Sequence, residues 1–442
     1  MTRSEISAVS PTAEARPVDG SERLVLLDAL RGFALCGVFV SNVFMWFSGR
    51  VFIPKDQVTA AMANASFLDK AASTVFMVLI FGKFITIFSA LFGLGFAVQL
   101  DRAEARGAAI GPVYTRRLLV MFGLGLTHLL LLWYGDILST YALLGFLLLL
   151  FRGRSDKTLF GWSMVLIFVV PQAVNLLMEL PRLTSSPEVA AAIAKEATAR
   201  SAAIRAEVLR ALGGGGYLDV IRAHARFYFG DFVRPMGAVI PVVFGRFLLG
   251  YMAGRRRLFH DPSAHRSFFR RMFGWGLGAG LVTGSIMIVM TQLFTRKIIN
   301  PETLPWLQYV MPIVRQVAEL GFASVYVAGF TLLFQRAFWQ RLLVVLAPVG
   351  RMAVSNYLSQ TVISLVLFYG YGFGLVGKLS PSQSMALAVG IFCIQIGLSH
   401  LWLARFRFGP VEWVWRSLTY GKAQPMRVRA ATAQTRATVP VA

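Results

Sequence analysis

Apolar runs of about 20 residues recur along nearly the whole of this 442-residue chain. As a helix rising 1.5 Å per residue, each is long enough to cross ~30 Å of hydrocarbon. Runs near 24–47, 72–99, 114–134, 136–151, 159–178, 236–254, 272–294, 310–334, 342–372 and 384–404 predict an all-α polytopic membrane protein, a bundle of about ten transmembrane helices. Composition points the same way: 56% of residues are hydrophobic and 15% charged, where a soluble domain carries roughly 25% charged residues. The surplus apolar surface calls for membrane lipids as its solvent.

The net charge of +23 would, in a soluble chain, point to nucleic acid. Its distribution excludes that partner. Twenty-two basic residues fall in alternate connections, among them Arg102, Arg106, Arg116, Arg117, Arg152, Arg154, Arg255, Arg256, Arg257, Arg336 and Arg341; the short connections between them hold six. Lys and Arg accumulate in loops that stay in the cytoplasm, so the richer set is inside, the spans are even in number, and both termini are cytoplasmic. The first apolar run lacks the short h-region of a cleaved signal and is read as the first span. The two cysteines, Cys36 and Cys393, sit inside predicted spans, and the five His show no ligand spacing, so neither a disulfide framework nor a metal is expected.

Along the chain, residues 1–22 read as a disordered cytoplasmic tail, 23–178 as an N-terminal membrane half of about five spans, and 236–422 as a C-terminal half. Residues 423–442 read as a disordered basic tail. The long connection 179–235 would face outward. It holds an Ala-rich helical stretch, a hinge at Gly213–Gly216, and a second stretch in which Val220, Ile221, His224, Phe227 and Tyr228 share one face. That pattern suits an amphipathic helix on the outer surface, either covering a site or linking the halves. Gly276, Gly280 and Gly284 put small residues four apart on one helix face, which permits close helix packing. Trp133 and Tyr134, and Trp402, Trp413 and Trp415, fit interfacial belts.

The ionisable residues inside spans form a short set: Asp28, Arg31, Lys83, Arg246, Arg315, Glu319 and Arg351, with His128, His400 and the boundary residue Asp136. Facing lipid, each would cost ~2.5–3.5 kcal/mol on insertion scales, so they are expected to face the bundle interior and to nominate a site. Asp28 and Arg31 lie three apart, either an anion-binding pair or a self-satisfied ion pair; Arg315 and Glu319 read as a structural i,i+4 pair. Arg351, Ser355, Asn356, Gln360 and Thr361 concentrate hydrogen-bonding side chains in one span, for function or for packing. His128 is the candidate for chemistry. In GLTHLLLLWYGDILSTYALLG, a tight WYGD turn would return Asp136 toward it. A carboxylate beside an imidazole fixes its tautomer and raises its basicity, as a general base requires.

The segments RLVLLDALRGFALCGVFVSN, LFGLGF, THLLLLWYGDILSTYALLG, GRMAVSNYLSQTVISLVLFYGYG and RFGPVEWVWRSLTYG resemble the bacterial domain-of-unknown-function 418 (YeiB-like) membrane proteins over about residues 23–422. That family is similar, at a distance, to transmembrane acyltransferases, including heparan-alpha-glucosaminide N-acetyltransferase and the acyltransferase-3 proteins. The shared element is an LDxxRG opening, here Leu27, Asp28, Arg31 and Gly32, with Asn42 later in the same helix. The resemblance implies a bacterial inner-membrane protein that moves an acyl group from cytoplasmic acyl-CoA, its co-substrate, to a small-molecule, glycan or lipid acceptor facing the envelope. It implies donor binding at the Asp28, Arg31 and Asn42 element, with Arg31 near the phosphates, and places His128 with Asp136 near the acceptor for catalysis; the polar Arg351–Asn356 region is expected to help hold the donor. Those relatives carry a His in or just after the first helix, whereas here none precedes His128; either His128 takes that role or the chemistry is absent. The rival readings are a transporter for a small anionic solute or lipid, with Arg31, Arg246, Arg315 and Arg351 lining a path, and a non-catalytic membrane partner. Homo-oligomerisation is left open.

Overall fold

The computed structural model describes residues 24–105, 110–299, 304 and 306–428. The N-terminal tail, Arg106 and most of the C-terminal tail lie outside the described residues. Everything described is helix, turn or loop, with a single isolated β-bridge between Phe406 and Arg427. In chain order the helices of ten or more residues are α1 (Val25–Phe47), α2 (Phe67–Ala105), α3 (Ile110–Leu131), α4 (Leu138–Leu150), α5 (Asp156–Leu183), α6 (Pro187–Gly214) and α7 (Tyr217–Arg255). They continue as α8 (Arg266–Thr295), α9 (Leu307–Phe334), α10 (Ala337–Arg351), α11 (Ala353–Phe368), α12 (Pro381–Arg405) and α13 (Pro410–Tyr420).

Seven of these, α1, α2, α5, α7, α8, α9 and α12, are long and apolar enough to cross a membrane. An eighth candidate is the pair α10–α11, bent by 78° between Arg351 and Ala353. The two further spans expected from the sequence are of a different kind. Helix α3 carries Arg116, Arg117 and His128, and α4 has only 13 residues, ~20 Å of helix. They form a tightly packed hairpin in which Gly125 leaves no room for a side chain against the start of α4.

The ends of the bundle are set by polar contacts. At one end Asp101 pairs with Arg257 (2.5 Å), Asp156 with Arg256 (2.7 Å) and Glu104 with Arg152 (3.7 Å), joining the connections α2–α3, α4–α5 and α7–α8. This is the basic end. At the opposite end, Arg50 donates to the carbonyl of Leu379 (2.6 Å) and to Ser384 Oγ (3.1 Å). There too the Asp69 carboxylate accepts from Ser380 Oγ and from the backbone N–H of Ser382, capping α12.

The long connection is helical, and the first part of α7 is amphipathic: Tyr217, Leu218, Asp219, Arg222 and Arg226 are exposed while the opposite face packs on the bundle. Val220, Ala223, His224 and Phe227 are buried, and the helix continues without a break through position 236 to Arg255. The hairpin of α6 and α7 closes the second end, with Gly370 N–H donating to the Leu212 carbonyl (2.7 Å) and Tyr369 Oη 3.2 Å from His224 Nε2. The segment after Tyr420 is likewise tied down as far as residue 428. Trp413 Nε1 donates to the Gln424 carbonyl (2.7 Å), and Phe406 bridges to Arg427, because the chain exposes backbone groups there that the neighbouring loop can satisfy.

Small residues set the closest approaches. Gly276 and Gly280 of α8 pack on Gly321 of α9, backbone against backbone. A close backbone contact also joins α1 to α10: a Cβ on Gly350 would collide with the Asp28 carbonyl, and one on Gly32 with the Leu346 carbonyl. Overpacking at such a contact costs ~1–3 kcal/mol or more. Gly350→Ala is therefore expected to lower the melting temperature by several degrees or to abolish monodisperse elution in detergent. Gly390→Ala, where nothing lies within 4 Å, is expected to leave both unchanged; equal behaviour of the two variants would refute the contact's importance.

Candidate functional site

A cavity of about 290 Å³ opens at the basic end between α1, α2, α3, α4, α11 and α13. That is close to the lower bound of ligand pockets, ~300 Å³. Along α2 its wall is the stripe Ile85, Phe88, Phe92, Gly95, Gln99 and Arg102. This three-to-four-residue repeat covers one helix face. Seventeen residues of rise make the cavity ~25 Å deep.

Its two ends differ in chemistry. The mouth gathers Arg31, Arg102, Arg117, Arg351, Arg407 and Arg416, against the carboxylates of Asp28 and Glu412. Six guanidinium groups facing two carboxylates leave a strongly positive entrance. Arg31 donates to Asp28 Oδ1 (2.8 Å), an orientation that keeps both on the wall. Arg117 lies over the Trp415 ring, 4.0 Å from its centroid, while Trp415 Nε1 donates to the Arg117 carbonyl (2.9 Å). Trp415 is thus part of the mouth and not an interfacial anchor alone. The interior is apolar, formed by Leu35, Val38, Leu118, Met121, Ile137 and Leu138, with Tyr141 and Tyr357 at its far end.

Glu412 holds the mouth together. The bend before α11 frees the N–H groups of its first turn, and the buried Glu412 carboxylate accepts from Val354 N–H (2.7 Å), Ser355 N–H (3.1 Å) and Ser355 Oγ (2.5 Å). Burial pushes the Glu412 carboxyl above its ordinary range, although these hydrogen bonds pull the other way.

Beyond the far end of the cavity lies the imidazole–carboxylate pair. The turn after α3 returns Asp136 to His128, whose Nδ1 is 2.9 Å from Asp136 Oδ1. Asp136 also accepts from Leu138 N–H (3.2 Å), Ser139 N–H (2.7 Å) and Ser139 Oγ (2.6 Å), so the carboxylate that orients the ring also caps α4. His128 is 1% exposed, and its Nε2 lies 3.0 Å from Thr361 Oγ1. The pair does not line the cavity. Tyr357 lines the cavity and its ring centroid is 5.2 Å from that of His128, so one side chain spans the gap; Ile137 and Leu138, the residues that follow Asp136, line the cavity beside it.

The other residues nominated by the sequence separate. Asp28, Arg31 and Arg351 reach the mouth. Asn42 does not: it opens the π-helical end of α1, eleven residues past Arg31 and ~16 Å along the helix. Asn356 faces α12, donating to the Val349 carbonyl (3.3 Å) and Ser399 Oγ (3.1 Å). There it belongs to a ladder with Gln360 and Gln395 (2.8 Å) that fastens α11 to α12. Glu319 takes its shorter bond from Arg246 (2.5 Å), with Arg315 at 3.7 Å. The four arginines of a transport path therefore fall into two groups, and only Arg31 and Arg351 line the cavity. Sequence reasoning did not nominate Glu412, Arg117, Arg407 or Tyr357; the signal for the first and third was the RFGPVEW segment itself.

These features define an all-helical chain with helices built to cross a membrane and a basic-mouthed apolar cavity. The comparisons with known proteins give it a family. The family described as "Protein of unknown function (DUF418)" matches residues 253–422. Over 424 residues, 93% of this chain and 98% of the relative, the sequence is 32% identical to the uncharacterized protein YxaH of Bacillus subtilis (strain 168). It is 29% identical to the uncharacterized protein YeiB of Escherichia coli (strain K12), over 91% of this chain and 98% of that one. The chain belongs to the YeiB-like DUF418 family. No solved structure matches it.

Glu412 yields a pH test. Its raised value means that the fold favours the neutral acid. Whatever stability this lends is complete below the ordinary glutamate value of about 4.3 and is lost as pH rises through the raised one. Glu412→Gln keeps an acceptor and carries no charge. The melting temperature of the wild type relative to Glu412→Gln is expected to fall from acidic to neutral pH, and a pH-independent difference would contradict the assignment. Glu412→Ala, which strands two N–H groups, is expected to cost roughly 1–3 kcal/mol.

Proposed function

We propose that the chain is a membrane-bound acyltransferase that takes an acyl group from a cytoplasmic acyl-CoA and passes it to a hydroxyl or amine of an acceptor on the envelope side. One observation carries this reading: a deep cavity with six arginines at its mouth and an apolar interior ends one residue short of an imidazole held by a carboxylate. Guanidinium groups bind phosphate oxygens in bidentate fashion, and a bore ~25 Å deep along α2 has the length for the extended arm that joins those phosphates to a thioester at the far end. The loop charges support the orientation: the mouth faces the cytoplasm, both termini are on that side, and the bacterial inner membrane is crossed about ten times.

In this reading the arginines hold the donor's phosphates while the thioester approaches the wall of Ile137, Leu138 and Tyr357. His128 is the general base, with Asp136 fixing its orientation. The wall keeps water from the thioester until the Tyr357 ring moves. Solute transport has less support, because Arg246 and Arg315 stand apart from the cavity and are engaged by Glu319.

Protein in lipid nanodiscs is expected to release free thiol from at least one member of an acyl-CoA series running from acetyl to palmitoyl. His128→Gln is expected to reduce that release by roughly 10²–10⁴-fold. Thiol release that is absent for every donor, or equal in the variant, would sink the proposal; anion flux without thiol release would put a carrier in its place.

Donor binding is separately measurable. Arg31→Ala and Arg351→Ala are each expected to weaken acyl-CoA binding roughly tenfold, about 1.4 kcal/mol, and to flatten its salt dependence. Titration calorimetry giving unchanged affinity in both would remove the mouth from the site.

A further inference from the structure

The hydroxyl that His128 meets is the chain's own. Thr361 Oγ1 lies 3.0 Å from His128 Nε2, and Thr361 is 2% exposed. The tautomer follows from Asp136. Its carboxylate already accepts from Leu138 N–H, Ser139 N–H and Ser139 Oγ, and an ionised carboxylate only accepts, so the proton between it and His128 sits on Nδ1. Nε2 is then left with a lone pair facing the Thr361 hydroxyl. The other acceptor within reach, the carbonyl of Tyr357 one turn back, is at 3.4 Å. A carboxylate, an imidazole and a hydroxyl in series, with the base oriented by the third group, are the geometric signature of an activated nucleophile on any fold.

We propose that Thr361 is that nucleophile: it accepts the acyl group from the donor in the cavity and holds it as an ester before the acceptor takes it. This rests on the acyl-transfer reading above. In the first half, Thr361 Oγ1 attacks the thioester carbonyl carbon and its proton passes to His128 Nε2. The C–S bond then breaks, and the leaving thiolate takes that proton and departs as a thiol through the arginine mouth. In the second half, the acceptor's hydroxyl or amine attacks the ester carbonyl and gives its proton to His128. The C–O bond to Thr361 breaks, and the proton returns to Oγ1. No electrons change hands and no further reactant is needed.

The placement of Thr361 fits a relay. It sits one turn beyond Tyr357, the residue that lines the cavity and faces His128. Trp133, buried and packed edge-on 6.3 Å from the imidazole, helps to close the site around the pair. Two half-reactions also spare donor and acceptor, arriving from opposite faces, from occupying the bundle together.

The test is mass spectrometry of the full chain in nanodiscs after incubation with the same acyl-CoA series and no acceptor. An acyl mass on the peptide containing Thr361 is expected for wild type and Thr361→Ser. It should be removed by hydroxylamine and be absent from Thr361→Val and His128→Gln. Thr361→Val, similar in volume, guards against loss of fold and is expected to release thiol at least ~10²-fold more slowly, with Thr361→Ser restoring release. Thiol release by Thr361→Val at the wild-type rate, or turnover with the acyl group on another residue or on none, would overturn the nucleophile and leave acyl transfer standing. No thiol release from the wild type with any donor would overturn both.

Discussion

The contact between α1 and α10 is the constraint on which the rest of the arrangement depends. Two glycines, Gly32 and Gly350, bring backbone onto backbone, and a methyl group at either position would meet a carbonyl of the other helix. This approach brings Arg31 and Arg351 to one cavity mouth and stops α10 where α11 has to turn away by 78°. A broken helix at membrane depth is tolerable only if its freed backbone groups find partners in protein. Glu412 of α13 supplies them, which makes the short helix after the last span a structural requirement of the bend. The same bend sets the direction of α11, so that Tyr357 and Thr361 face the end of α3.

Two buried carboxylates then serve at opposite ends of one cavity. Glu412 caps α11 at the mouth, and Asp136 caps α4 beyond the far wall. Each satisfies free N–H groups of a helix start while also standing beside a functional group, an arginine cluster in one case and an imidazole in the other. Neither carboxylate is spare. Replacing either by an apolar residue removes a cap and a partner together, so effects on stability and on chemistry at these two positions are coupled. The cluster of Arg246, Gln316 and Glu319 stands apart from both and holds α7 to α9.

The helical class was legible because hydrophobic runs of membrane length leave few alternatives, and the return of Asp136 to His128 was legible because the turn between them is short and local. The arginine mouth was only half legible. Asp28, Arg31 and Arg351 stood out as charges within apolar runs, whereas Arg117, Arg407 and Glu412 sit in segments that look like ordinary charged loop ends; only the tertiary fold turns them inward. Asn42 shared a helix with Arg31 and was grouped with it, but eleven residues of helix separate ends, not neighbours. Arg315 and Glu319 had the right spacing for a pair, yet Arg246, seventy-three residues from Glu319 in sequence, approaches it more closely, and no local pattern encodes that. The tail to residue 428 read as loose because composition does not reveal a backbone acceptor for Trp413.

On the proposed acyl-transfer reading, the separation of the cavity from His128 is what a transfer across a bilayer would require. A hydrated path running from six arginines at one face to the opposite face would conduct small anions down the membrane potential, at ~2.3 kcal/mol per charge per 100 mV. It would also admit water to a thioester whose hydrolysis competes with transfer. Ile137, Leu138 and the Tyr357 ring line the cavity close to the reacting groups: two follow Asp136 directly, and the third lies one turn from Thr361. A barrier built from neighbours of the reacting groups can yield to an acyl carbonyl by a side-chain rotation while the helices stay in place. In such an arrangement only the acyl group, and not the charged headgroup held at the mouth, needs to pass the middle of the membrane.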